Sequence, residues 1–104
     1  MKKIGHFEAY VDFVSVVLLC APDEFPRRDF LSEDEQMNLD RAFEALLGNF
    51  SLVEDRISEE SVRTELRQTL DAALVAYKAG DEIRGARNIQ AFEKLLITNG
   101  RRSR

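Results

Sequence analysis

The chain has one cysteine, one histidine, no tryptophan and two prolines among its 104 residues. Each shortage excludes something. A lone Cys20 cannot close an intramolecular disulfide, so the fold is no disulfide scaffold, and nothing marks an oxidising compartment. His6, without a second histidine, cannot supply the three or four nitrogen and sulfur ligands of a zinc site. The paired Glu-x-x-His motifs of a di-metal helical bundle are missing as well. No metal and no other cofactor is therefore expected. Five glycines and two prolines are too few to punctuate a β-sandwich, and Gly80, Gly85 and Gly100 match no phosphate-loop spacing. No window approaches the ~20 apolar residues of a membrane-spanning helix, so no membrane partner is expected.

The amino terminus imitates an export signal, with Met1-Lys2-Lys3 ahead of the apolar run Val14–Cys20. Three features oppose that reading. Glu8 and Asp12 interrupt the apolar region, the uncharged run from Phe13 to Ala21 is short, and Leu19 precedes the cysteine where a small residue belongs. The sequence thus reads as a soluble, cytoplasmic protein.

What is present is an ordinary globular composition, with 44% hydrophobic and 33% charged residues. A chain of this length buries roughly 65% of its unfolded surface, enough for one core. The expectation is a single domain over residues 1–104, all-α, a compact bundle of about four helices.

The helices follow from periodicity. Ile4, Phe7, Val11, Val14 and Leu18 recur at spacings of three and four, with Glu8, Asp12 and Ser15 forming a narrow polar stripe. A helix so apolar all round belongs at the centre or at a subunit contact. Its valines also suit a strand at Phe13–Leu19, but the chain offers no convincing partner strand, so helix is expected. Pro22 should end it, leaving a loop over Ala21–Leu31 whose Phe25 and Phe30 tuck against the core. Ser32-Glu33-Asp34-Glu35 reads as a capping box opening a second helix, which turns Leu39, Phe43, Leu46, Leu47 and Phe50 inward. Gly48-Asn49 should break that helix or leave it irregular towards Ile57.

Ser58 is expected to cap a third helix, with Ile57 and Val62 as a hydrophobic staple and Glu59 and Glu60 on the positive dipole end. Its inward stripe is Val62, Leu66, Leu70, Ala73, Leu74 and Tyr77. Gly80 should end it and Asp81 cap a fourth helix, forcing a tight helical hairpin. There Gly85, Ile89, Phe92 and Leu96 fall on one line, with Gly85 marking a close helix approach. Asn99-Gly100 reads as a stop, and residues 100–104 as a frayed basic tail.

Charge is placed unevenly. Residues 1–60 carry 14 Asp and Glu against 6 Lys and Arg, whereas residues 61–104 carry 5 against 9. On the second helix Glu33, Met37, Asp40 and Glu44 are expected on one flank. Arg84, Arg87, Lys94 and Arg101 form a basic line on the fourth. That line is sparse and the overall charge is −4, which disfavours nucleic acid as a partner.

Catalysis is not expected. His6 reads as an ordinary N-terminal residue. Cys20, at a helix carboxyl end with no base beside it, reads as a buried structural thiol. The Asp40 and Glu44 carboxylates lie on an exposed flank with nothing to polarise them. No run of residues identifies a family. The small, acidic, all-helical character is shared by bacterial immunity and antitoxin proteins, and equally by secretion chaperones and anti-activators.

The reading is a non-enzymatic protein-binding module, an immunity- or antitoxin-type inhibitor. It would dock an acidic surface (Glu33, Asp34, Asp40, Glu44, Glu54, Asp55, Glu59 and Glu60) on the basic cleft of a toxin. The alternative is a structural or regulatory subunit that homodimerises, or joins an assembly, through its apolar first helix.

Overall fold

The structure, a computed structural model, describes residues 2–101. The helices are α1 (Phe7–Cys20), α2 (Leu39–Gly48), α3 (Ser51–Arg56), α4 (Glu60–Lys78) and α5 (Glu82–Gly100), with one 3-10 turn at Glu33–Glu35. No strand occurs among the described residues. Because α2 and α3 are one helix broken at Gly48–Asn49, the chain is an all-α bundle of four helical limbs. Its Cα extents are 44 × 29 × 17 Å, and α4 with α5 form its most extensive helix pairing.

α1 begins three residues later than the apolar periodicity suggests. His6 supplies the reason: its Nδ1 accepts a hydrogen bond from the Ala9 backbone N–H at 3.2 Å, making it the N-cap. This capping role, which Ser, Thr, Asp and Asn fill far more often, was not visible in the sequence. At the other end Ala21 is extended (ψ 146°), as the residue before Pro22 should be. The polar stripe of α1 finds its partner on α5, where Ser15 Oγ donates to Glu93 Oε2 at 2.5 Å.

The capping box forms but opens no long helix. The Ser32 N–H and hydroxyl both donate to Glu35 Oε1, at 3.0 and 3.1 Å, and close one 3-10 turn. The chain then leaves helical geometry at Gln36, the only buried polar residue among those described. Gln36 Nε2 donates to the Arg28 and Leu31 carbonyls at 2.7 and 2.9 Å, and its Oε1 accepts from the Arg28 N–H at 2.9 Å. These bonds satisfy loop backbone that would otherwise be stranded, and they draw Gln36 out of a continuing helix. α2 therefore starts at Leu39 under a second cap, Asn38, whose side chain accepts from the Arg41 N–H at 2.9 Å. Glu33 and Met37 consequently do not share a helix flank with Asp40 and Glu44.

The same loop corrects the expectation for Phe30. Phe25 packs against the core, but Phe30 is 82% exposed. It lies at the tip of a turn closed by Leu31 N–H to the Arg28 carbonyl (3.1 Å), and the tip carries its ring outward.

At Gly48–Asn49 the break is held by long-range bonds. Asn49 Oδ1 accepts from the Ile4 N–H at 3.3 Å, and its Nδ2 donates to the Lys2 and Ala45 carbonyls at 3.0 and 2.8 Å. Ser58 does not cap α4, which starts at Glu60 without a side-chain cap. Arg63 reaches back from the first turn instead, donating to the Ile57 and Glu54 carbonyls at 2.6 and 2.5 Å and closing the end of α3. Ile57 and Val62 both join the core.

Between α4 and α5, Gly80 adopts φ 83°, and the Asp81 side chain caps α5 by accepting from the Arg84 N–H at 3.0 Å. Gly85, Ile89, Phe92 and Leu96 are all buried, as are Leu66, Leu70, Ala73 and Tyr77 opposite them. Gly100 has a different role from a simple stop. It is buried in the last turn of α5, and a Cβ there would overlap the Phe7 ring of α1. Arg101 is likewise not frayed, because its guanidinium grips Glu8. Residues 102–104 of the expected tail lie outside the described residues.

Candidate protein-binding surface

All eight carboxylates proposed for partner contact are solvent-exposed. They sit on three supports: Glu33 and Asp34 on the 3-10 turn, Asp40 and Glu44 on α2, and Glu54, Asp55, Glu59 and Glu60 where α3 passes into α4. Glu33 is engaged by Arg27. Asp40 pairs with Lys78 Nζ at 2.5 Å, which ties the start of α2 to the last turn of α4. Among the described residues, Asp34, Glu44, Glu54, Asp55 and Glu60 make no ion pair.

A groove of about 460 Å³ lies between α3 and α4 and brings Glu54 and Glu60 together. It is not purely acidic. Arg63 and Arg67 line it as well, Arg67 with its guanidinium 4.6 Å from the centre of the Phe50 ring. Arg63 is committed to the α3 carbonyls, so its charge sits in the wall. Glu44 lies in a separate groove with Glu35, Met37, Arg41 and Lys2. The Glu35 carboxyl is held below the usual carboxylate range by the Ser32 N–H and hydroxyl.

His6 is occupied in capping α1. Cys20 is half-buried in the last turn of α1, a more accessible position than the buried thiol expected. Tyr10 is fully buried; its hydroxyl donates to the Leu46 carbonyl at 2.7 Å, and burial pushes its pKa far above the ordinary phenol value. No cluster of three or more metal-ligating side chains occurs among the described residues, and none of their helices is long and apolar enough to cross a membrane.

One feature has no signal in the sequence pattern: Gln36, which organises the loop ahead of α2. Val16 (41% exposed) and Leu19 (80%) leave one face of α1 uncovered, as a first helix apolar nearly all round allows. Val75 and Ile83 are also exposed, near the α4–α5 turn. The helical wheel of α1 held the clue to its open face, since Ala9, Asp12, Val16 and Leu19 follow one another at spacings of three and four.

The class that this fold defines is an all-α bundle of four helical limbs. No protein-family model, curated protein or solved structure matches the chain.

Proposed function

We propose that this chain is a non-enzymatic protein-binding module, an inhibitor of the immunity or antitoxin type that meets a basic cleft on its target. One observation carries the reading. The segment from Ser32 to Glu60 holds nine carboxylates against two arginines, and five of the eight partner-contact residues are exposed without an ion pair among the described residues. Ion pairs within the protein would offset that charge; left open, it creates a field that speeds encounter with a basic surface and disfavours acidic ones. The supports suit the role. The 3-10 turn is pinned by Gln36, and the α3–α4 junction by Arg63, so these carboxylates are displayed from backbone that is already ordered.

The test is a partner captured from the native host, purified, and measured in association kinetics. Association should be fast and should slow steeply with added salt. Converting Glu33, Asp34, Asp40 and Glu44 to amides as one block, and Glu54, Asp55, Glu59 and Glu60 as another, should reduce the on-rate in at least one block. A complex whose on-rate ignores both salt and the two blocks would overturn the charge mechanism.

A further inference from the structure

We infer that the uncovered face of α1 is a homodimer contact, in which two copies pack α1 against α1 in antiparallel fashion about a twofold axis. None of the eight carboxylates above belongs to this face, so the inference stands or falls separately from the proposed function.

The face has a raised half and a recessed half. Leu19, 80% exposed, stands proud at the carboxyl end, with Val16 one turn before it. Towards the amino end the surface sinks into a groove of about 280 Å³ lined by Ile4, Gly5, Ala9, Phe13 and Val16, with the Lys2 ammonium 5.4 Å from the centre of the Phe13 ring. A Cβ built on Gly5 would meet nothing within 4 Å, so the groove is open at that residue. Ala9, Asp12, Val16 and Leu19 lie on one side of the helix. Turning a second copy end for end sets its Leu19 over Ala9 and Gly5 of the first, and the first copy's Leu19 over the same hollow of the second. Such a contact is isologous and closed, the commonest way soluble chains pair.

Charge selects a second copy as the occupant. Lys2 and Lys3 flank the recessed end, and Asp23 and Glu24 follow the raised end, where the Glu24 N–H bonds to the Cys20 carbonyl at 2.6 Å. All four are exposed, and none makes an ion pair among the described residues. Antiparallel pairing brings each copy's lysines to the other's carboxylates, twice per dimer. Parallel pairing would set like charges together at both ends, which is unfavourable. Asp12, the one charge inside the stripe, shares its groove with Lys2 and Lys3.

Sedimentation of the full chain over a concentration series provides the test. The wild-type chain should form a dimer, and Leu19→Glu should be monomeric with an unchanged helical circular dichroism spectrum. Two charge-reversed chains, one carrying Lys2→Glu and Lys3→Glu and the other Asp23→Lys and Glu24→Lys, should each dimerise more weakly by about tenfold or more. Mixed one to one, they should recover dimer, because the mixed pair has opposite charges at both ends. A wild-type chain that stays monomeric throughout overturns the inference. So does a dimer that survives Leu19→Glu, or a mixture that fails to recover pairing.

Discussion

Tyr77 lies across Gly85 so closely that a methyl group at position 85 would stand 2.7 Å from two of its ring carbons. The α4–α5 hairpin, the most extensive helix pairing in the molecule, closes over this contact. On its other side the Tyr77 ring meets Phe43 of α2 edge-on, with centroids 6.2 Å apart. The aromatic residue therefore joins three helices and has no room to retreat.

Gly85→Ala should consequently destabilise the protein by about 1–3 kcal/mol through overpacking. Helix propensity alone would favour alanine there by about 1 kcal/mol, so the sign of the change decides between the two effects. Urea unfolding reads it directly. Gly5→Ala, where a Cβ meets nothing, is the control and should leave monomer stability close to wild type.

The two buried tyrosines should respond in opposite ways to losing a hydroxyl. Tyr10 donates to the Leu46 carbonyl, a bond between α1 and α2, and Tyr10→Phe should cost about 1 kcal/mol. The Tyr77 hydroxyl is buried with no partner among the described residues. Removing it relieves a desolvated polar group, so Tyr77→Phe should be neutral or stabilising by about 1 kcal/mol. Paired thermal melts of the two variants check both signs.

Acid should release the clasp between α1 and the end of α5. The Arg101 guanidinium hydrogen-bonds the Glu8 carboxylate and holds its pKa below the usual range, with Nε at 3.0 Å. A carboxyl whose folded pKa is depressed adds stability above its unfolded pKa, and loses it as pH falls through the folded one. The difference in melting temperature between wild type and Glu8→Gln should thus be constant near neutrality and shrink below about pH 4.3. Because both side chains are more than a third exposed, the effect should be small and should weaken with salt. A difference that persists undiminished at acid pH would show that the ion pair is not its source.

Much of the fold was legible because helix formation is governed by neighbours three and four residues apart. The inward stripe of α5 is buried as the periodicity predicts, as are Leu66, Leu70, Ala73 and Tyr77 of α4, while Val62 and Leu74 are only partly buried; the Gly80–Asp81 turn has the positive φ and side-chain cap its residues imply. The capping box was legible as chemistry but not as context. Ser32 and Glu35 make their bonds, yet Gln36 ends the turn because its amide is required eight residues back, at Arg28. Phe30 faces solvent against its apolar character for a related reason: apolarity says that a side chain gains from burial, not that a turn will point it inward. Of the candidate surface, the sequence revealed the carboxylates and their excess, but not that Asp40 is paired with Lys78 or that Glu54 and Glu60 share a groove with two arginines.

The sequence by itself determined the helical class, the inward stripes and the acidic bias of residues 1–60. Those properties depend on residue identity and short-range spacing, which the chain carries wherever it is placed. Tertiary structure alone decided that Gly100 seats Phe7, that Arg101 clasps Glu8, that Asn49 secures the amino-terminal segment and which side of α1 stays open. Each depends on groups more than forty residues apart, or on which neighbours happen to cover a helix, and such distances close only when the whole core has packed.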